Sequence, residues 1–216
     1  MISLKQIASI NLPTSWATFR LLGFEGIKFV GEKESTETAL ALIHGDISST
    51  TAPLVRIHSQ CMTGDVFHSL RCDCRDQLHH ALQRIAEEGA GVLVYEHQEG
   101  RGIGLMEKLR AYELQEKGLD TIEANLRLGH SVDMRDYILA TEILRFLDIR
   151  SLRMMTNNPD KINAVSAAGI EIVERVSVDI AGGPHSARYL ATKREKLGHL
   201  LNLSDRSPGA ESPVSR

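Results

Sequence analysis

Short runs of apolar residues punctuate the chain at positions 19–24, 39–43, 54–57, 92–95, 152–155 and 170–173, each about the length of a buried strand. Between several of them the apolar residues return with helical spacing. Leu78, Leu82 and Ile85 share one face of 76–88, which stops at Gly89. Leu105, Leu109 and Tyr112 share a face of 105–117, which stops at Gly118. Ile138, Ile143, Leu144 and Leu147 repeat the theme over 133–147. From about residue 90 the order reads strand, helix, helix, strand, helix, strand, which predicts a layered α/β sheet. The strand-rich first third is expected to add antiparallel strands and make that sheet mixed. A basic helix is expected over 186–201. The last residues, LSDRSPGAESPVSR, are polar and rich in Ser and Pro, a composition that reads as disordered. Without a repeat or a linker, the chain reads as a single domain over 1–202 with a tail at 203–216.

Composition narrows the class. Hydrophobic content of 42% and charged content of 25% suit a globular α/β chain. The formal charge of −3 argues against a general nucleic-acid binder, which is usually basic. No apolar run approaches the ~18 residues of a membrane helix, and the start, MISLKQIASINLPTSW, lacks the apolar core of a signal peptide. A cytoplasmic protein is expected.

The three cysteines, Cys61, Cys72 and Cys74, all fall in one run, HSQCMTGDVFHSLRCDC. Three thiolates are one fewer than a closed structural zinc site uses, and suit a tetrahedral zinc with its fourth position open to water. Soft thiolates select zinc over magnesium or calcium. The bland alternative, cysteines buried as small apolar residues, fits poorly with Arg71 and Arg75 flanking Cys72-Asp73-Cys74. Three thiolates also leave the ion with a surplus of negative charge, which weakens its pull on water and calls for a neighbouring acid/base group.

After the apolar run AGVLVYE comes HQEGRGIG, and after SLRMMT comes NNPDK. Alternate glycines at a strand-to-helix turn let backbone amides approach an anion, and Arg101 between two of them strengthens a phosphate reading. The spacing is neither the dinucleotide fingerprint nor a Walker loop. Thr156 and Lys161 could complete a polyphosphate site, although Asn157 to Asp160 also read as a helix cap with Pro159 in the first turn. Ligands favour the carboxyl ends of strands in open α/β sheets, so the two loops support one another.

The runs RIHSQCMTGDVFHSLRCDC, QEGRGIGL, DTIEANLRLG and TNNPDKINAVSAAGI together resemble the GTP cyclohydrolase II family, over roughly residues 5–202. The resemblance implies a three-layer α/β/α fold with a mixed sheet, and a homodimer with one zinc per chain and magnesium accompanying the triphosphate of GTP. It implies opening of the guanine imidazole ring at C8, loss of formate and diphosphate, and the product 2,5-diamino-6-(ribosylamino)pyrimidin-4-one 5′-phosphate, in riboflavin biosynthesis. Cys61, Cys72 and Cys74 match the zinc ligands. Arg56, Ile57, His58, Ser59, Gln60, Gln77, Glu99, Gly100, Arg101, Thr121, Thr156 and Lys161 match positions that bind GTP. Asp133 and Arg135 match a proton acceptor and a nucleophile at the α-phosphate, and Tyr112 a tyrosine of ring opening.

Chemistry weighs these roles. Arg101 and Lys161 suit a triphosphate. Glu99 would be repelled by phosphate, so it is expected to meet donors on the guanine edge or to hold magnesium. A guanidinium has essentially no neutral form near pH 7, so a charged Arg135 that stabilises the phosphoryl transition state is the competing account. On a helix Asp133 and Arg135 would not face each other, so the pair is expected at a helix start. Gln60, Arg75 and the stretch 180–188 depart from the family pattern, and Gln60 cannot act as a base. Two alternatives remain: a related cyclohydrolase that stops at a formylated intermediate, and a zinc-stabilised nucleotide-binding module in which His58 or His68 closes the metal site.

Overall fold

The computed structural model describes residues 2–30, 33–178, 180 and 186. The expected helix over 186–201 (beyond Ser186), the tail and most of 180–188 lie outside the described residues.

Three long strands open the chain: β1 (Ile2–Pro13), β2 (Thr18–Val30) and β3 (Lys33–His44), paired antiparallel as a meander. β1 carries no continuous apolar run, which is why the pattern of short runs passes over it. The remaining strands are short: β4 (Leu54–Ser59), β5 (Gly91–Glu96), β6 (Ser151–Met155) and β7 (Glu171–Val176). β5 joins the meander by pairing antiparallel with β3, and β4, β5, β6 and β7 run parallel. The order is β1-β2-β3-β5-β4-β6-β7, so the sheet is mixed, as expected. β4 and β5 are buried along nearly their whole length because both faces of a parallel sheet are covered.

Six helices are described: α1 (Met62–Asp65), α2 (Cys74–Glu88), α3 (Leu105–Glu116), α4 (Thr121–Arg127), α5 (Ile138–Phe146) and α6 (Pro159–Ala167). The core on one side of the sheet joins Leu22, Phe24, Val55, Ile57, Val92 and Val94 to Leu139, Ile143 and Leu144 of α5 and Val165 of α6. On the other side Leu54, Leu93 and Met155 meet Ala81, Leu82 and Ile85 of α2. Alternate strand residues therefore feed two cores, which makes the three layers.

Three elements depart from the sequence pattern. α4 carries no apolar stripe, but a capping box, Asp120 with Glu123, closes its first turn. The helix expected from residue 133 begins only at Ile138, because the Asp133 carboxylate takes the Arg135 amide (3.0 Å) and holds the chain out of helical geometry. On α3 the buried face is Lys108 and Ala111, whereas Leu109 is 41% exposed. The lysine is inside because its charged partners are inside, as described below.

Candidate active site

The topological switch point lies between β4 and β6: the chain leaves β4 towards β5 on one side and leaves β6 towards β7 on the other. A crevice opens at such a place, beyond the carboxyl ends of the strands. Here β4 and β6 pair only at Leu54–Arg153 and Val55–Met154, then part. The Arg56 side chain fills the gap and donates to the Met155 carbonyl (3.0 Å) and to Gln77 Oε1 (2.6 Å). Gln77 in turn donates to Asp73, the residue between Cys72 and Cys74 (2.5 Å).

The strand-end loops surround one cleft. β4 leads into Gln60, whose amide prolongs the ladder onto the Glu96 carbonyl (2.8 Å), and then into Cys61 at the start of α1. Asp65 fastens this loop: its carboxylate accepts from the Cys61 amide (3.0 Å) and from the Tyr95 hydroxyl (2.8 Å), and lies 3.3 Å from His58 Nε2. Cys74 opens α2, so the helix N-terminus adds positive potential next to the sulfurs. The ligand atoms of Cys61, Cys72 and Cys74 all lie within 4.8 Å of one another, and the Cys61 and Cys72 sulfurs are 3.7 Å apart. The thiols are unequal. Donation from the other two cysteines holds Cys61 far below the usual thiol range. Cys72 is pushed up to about 11, chiefly by its bond with Cys61, and Cys74 is raised well above its ordinary value by both neighbours.

The donor set fits a zinc ion: three sulfurs share one small space and Gly64 packs against them without a side chain. Among the described residues no histidine, aspartate or glutamate joins this group. His58 is buried, its pKa lowered by that burial, and it turns to Asp65, while His68 is exposed. The arrangement expected for a closed site is therefore absent among the described residues.

Residues 99–102 form a tight turn in which Gly100 and Arg101 both have left-handed backbones (φ 62° and 61°). A Cβ at Gly100 would sit 3.1 Å from Lys108 Cβ, so glycine is required there by conformation and by space. The Arg101 carbonyl accepts from the Met134 amide (3.0 Å), which docks the segment carrying Asp133 and Arg135 onto the turn. Glu99 is buried, and its carboxylate is taken by the amides of Met62 (2.6 Å) and Gly100 (3.0 Å) and by Lys108 (2.7 Å). That carboxylate thus faces the cysteine side of the cleft. Asn158 caps α6 by accepting from the Asp160 amide (3.0 Å) with Pro159 in the first turn, the capping role legible in the sequence.

Arg56, His58, Ser59, Gln60, Gln77, Glu99, Gly100, Arg101, Tyr112, Thr121, Arg135, Thr156, Lys161 and the three cysteines all border this one cleft. Two singled-out residues do not. The Ile57 side chain lies wholly in the core, and its carbonyl accepts from Lys161 Nζ (2.8 Å). Asp133 stands behind Arg135 and reaches the cleft only through it. Sequence reasoning passed over Lys108, Asn125 and Asn157, which also border the cleft. A lysine on an amphipathic helix carries no sign that it points inward, whereas the D-T-I-E capping box could have placed Asn125 on a helix.

Among the described residues, five cations (Arg56, Arg101, Lys108, Arg135 and Lys161) border the cleft against the single carboxylate of Glu99, although the whole chain is formally negative. Fold and site together define an α/β scaffold whose cleft joins a three-thiol centre to a wall of cations. The sequence profile of the GTP cyclohydrolase II family matches residues 5–177, and the chain belongs to that family of enzymes. It is 50% identical over 196 residues to a GTP cyclohydrolase-2 of Buchnera aphidicola, covering 91% of this chain and 98% of that one. A GTP cyclohydrolase-2 of Escherichia coli is 48% identical over 201 residues, 93% of this chain and 100% of its own length. A riboflavin biosynthesis protein of Vibrio vulnificus is 52% identical over 196 residues, and there the chain spans 91% of itself but 52% of the relative.

Proposed function

We propose that the protein opens the imidazole ring of GTP at C8 with a zinc ion held by Cys61, Cys72 and Cys74, and releases formate and diphosphate. The product on this reading is 2,5-diamino-6-(ribosylamino)pyrimidin-4-one 5′-phosphate, which feeds riboflavin biosynthesis. The observation that carries it is the convergence of the three sulfurs and the cation wall on one cleft. Zinc, when bound, supplies a Lewis acid and an activated water at neutral pH.

The remaining chemistry falls to side chains. Tyr112 borders the cleft with its pKa raised, by burial above all, so its phenol is protonated at neutral pH and suited to donate. At the opposite wall Arg101, Arg135 and Lys161 suit the charge of a triphosphate, with magnesium sharing the load. Diphosphate leaves when water attacks the α-phosphorus and the bond to the bridging oxygen breaks. Arg135 is gripped through Nε and both terminal nitrogens, by Asp133 and by Ser59 Oγ (3.3 Å), all as a donor. That supports a charged guanidinium stabilising the transition state over a neutral nucleophile. The same reading carries a homodimer, a cytoplasmic location and a domain over 1–202.

The test is incubation of purified protein with GTP, zinc and magnesium, with formate, diphosphate and the diaminopyrimidine each quantified. Equal yields of all three are expected. Diphosphate without formate, with the formylated pyrimidine in place of the diaminopyrimidine, would mark a related cyclohydrolase and overturn the assignment of formate release. Formate without diphosphate would remove Asp133 and Arg135 from the reaction.

A further inference from the structure

Lys108 reaches out of α3 into the floor of the cleft and is 9% exposed. Its ammonium lies 3.1 Å from Cys61 Sγ, 2.9 Å from Thr63 Oγ1 and 2.7 Å from Glu99 Oε1. An ammonium has three donors and no acceptor, so these three partners use its full capacity and leave no N–H for a substrate. A lysine buried alone would be costly. Glu99 offsets that cost and is itself held by the amides of Met62 and Gly100, so the ammonium is fixed from behind while one N–H is directed at sulfur.

We propose that Lys108 is a positioning residue of the thiolate centre, one that donates to Cys61 and withdraws charge from that sulfur so that a metal held by three thiolates remains an effective Lewis acid. The inference rests on the metal reading above. Three thiolates on a divalent ion leave one surplus negative charge, and a hydrogen bond to a ligand sulfur reduces the electron density that sulfur passes to the metal. Outer partners of this kind orient and tune metal ligands, and their loss costs ~10–100-fold in metal affinity or activity. Lys108 also lies 5.7 Å from the centre of the Tyr112 ring, which joins the sulfur centre to the phenol across the floor.

The experiment compares parent, Lys108→Met, Lys108→Arg and Thr63→Val proteins loaded with Co2+ in place of zinc, read by the sulfur-to-cobalt charge-transfer absorption. Zinc release to a chelator and the kcat and KM for formate production are measured alongside. In Lys108→Met the band is expected to move to lower energy, kcat to fall ~10–100-fold with KM for GTP held within about twofold, and zinc to leave no faster than from the parent, because Cys61 then gives the metal more density. Lys108→Arg should restore part of the band position. Thr63→Val, which keeps the charge but removes one anchor of the ammonium and a hydroxyl 3.6 Å from Cys61 Sγ, should shift the band the same way by less, and Lys108→Arg serves beside it if Lys108→Met does not fold. An unmoved band in both Lys108→Met and Thr63→Val, or a raised KM at unchanged kcat in Lys108→Met, would overturn the inference while leaving the metal reading intact. A parent protein without a thiolate–cobalt band would overturn both, and is recognised before any variant is made.

Discussion

Arg135 and Asp133 chelate one another across a single intervening residue. Arg135 Nε lies 2.9 and 3.2 Å from the two carboxylate oxygens, a terminal nitrogen lies 2.5 Å from Oδ2, and the Arg135 amide closes the ring at 3.0 Å. The pair borders the cleft only through the guanidinium, so the carboxylate aims and holds the cation. Replacing Arg135 with Gln is expected to slow diphosphate release ~10²–10³-fold, the usual loss for one transition-state donor. Formate release should survive, since the sulfurs lie elsewhere in the cleft. Separate assays of the two products check this.

The same pair has a pH signature. Burial alone would raise the Asp133 pKa, but the Arg135 hydrogen bonds and charge outweigh it and hold the carboxyl below its ordinary 3.8. A depressed carboxyl contributes stability above its unfolded pKa and loses it as pH falls through the folded value. Asp133→Asn should therefore narrow the gap in melting temperature between neutral pH and pH 3. An unchanged acid limb in thermal scans would show that the ion pair does not contribute.

Gly64 offers a packing test of the metal centre. A Cβ there would stand 2.9 Å from Cys72 Sγ, 3.1 Å from Cys74 Cβ and 3.2 Å from Cys61 Sγ. Its backbone is helical, so alanine introduces crowding without torsional strain. Overpacking of this kind costs ~1–3 kcal/mol, about 10–100-fold in metal affinity. Gly64→Ala is expected to lose metal by elemental analysis while keeping its far-UV circular dichroism.

Glu96 ends β5 wholly buried, and neither oxygen meets a side-chain donor. Burial pushes its pKa up to about 8, with Lys161 and Arg135 pulling the other way. A raised carboxyl favours the folded state fully below its unfolded value near 4.5, and that contribution fades as pH climbs through 8. The melting temperature of Glu96→Gln relative to the parent should therefore rise between pH 5 and pH 9. A difference that stays flat across this range would mean that the group is ionised throughout.

Arg56 separates scaffold from substrate contact. Its guanidinium satisfies Met155 and Gln77, and through Gln77 it steadies Asp73 between Cys72 and Cys74. Burial lowers its pKa to about 10, still well above neutrality. Arg56→Met strands buried acceptors, each costing ~1–3 kcal/mol, so a fall in melting temperature without any nucleotide present is expected. A variant of parental stability whose only defect is a raised KM for GTP would make Arg56 a substrate contact instead.

What could be read locally was read well. The runs at 54–57 and 92–95 became β4 and β5 because a strand buried on both faces is mostly apolar, and the run at 152–155 became β6, whose alternate residues are buried. The period of Leu82 and Ile85 became the buried face of α2 for the same reason of burial. The clustering of Cys61, Cys72 and Cys74 in the chain announced their convergence in space, because thiols so close in sequence need only one helix start to meet.

Long-range facts were decided by packing. The stripe through Leu109 pointed the wrong way on α3, since Lys108 turns inward only when Glu99 and Cys61, 9 and 47 residues away, are already in place. Likewise β4 and β6, about a hundred residues apart, part after two pairs and leave the gap that Arg56 fills. The short buried strands, the stripe of α2 and the three sulfurs were legible in the chain, since periodicity and residue chemistry are properties of neighbours. The burial of each charge against its partner was settled by packing, because the cost of burying a charge depends on groups that folding alone brings near.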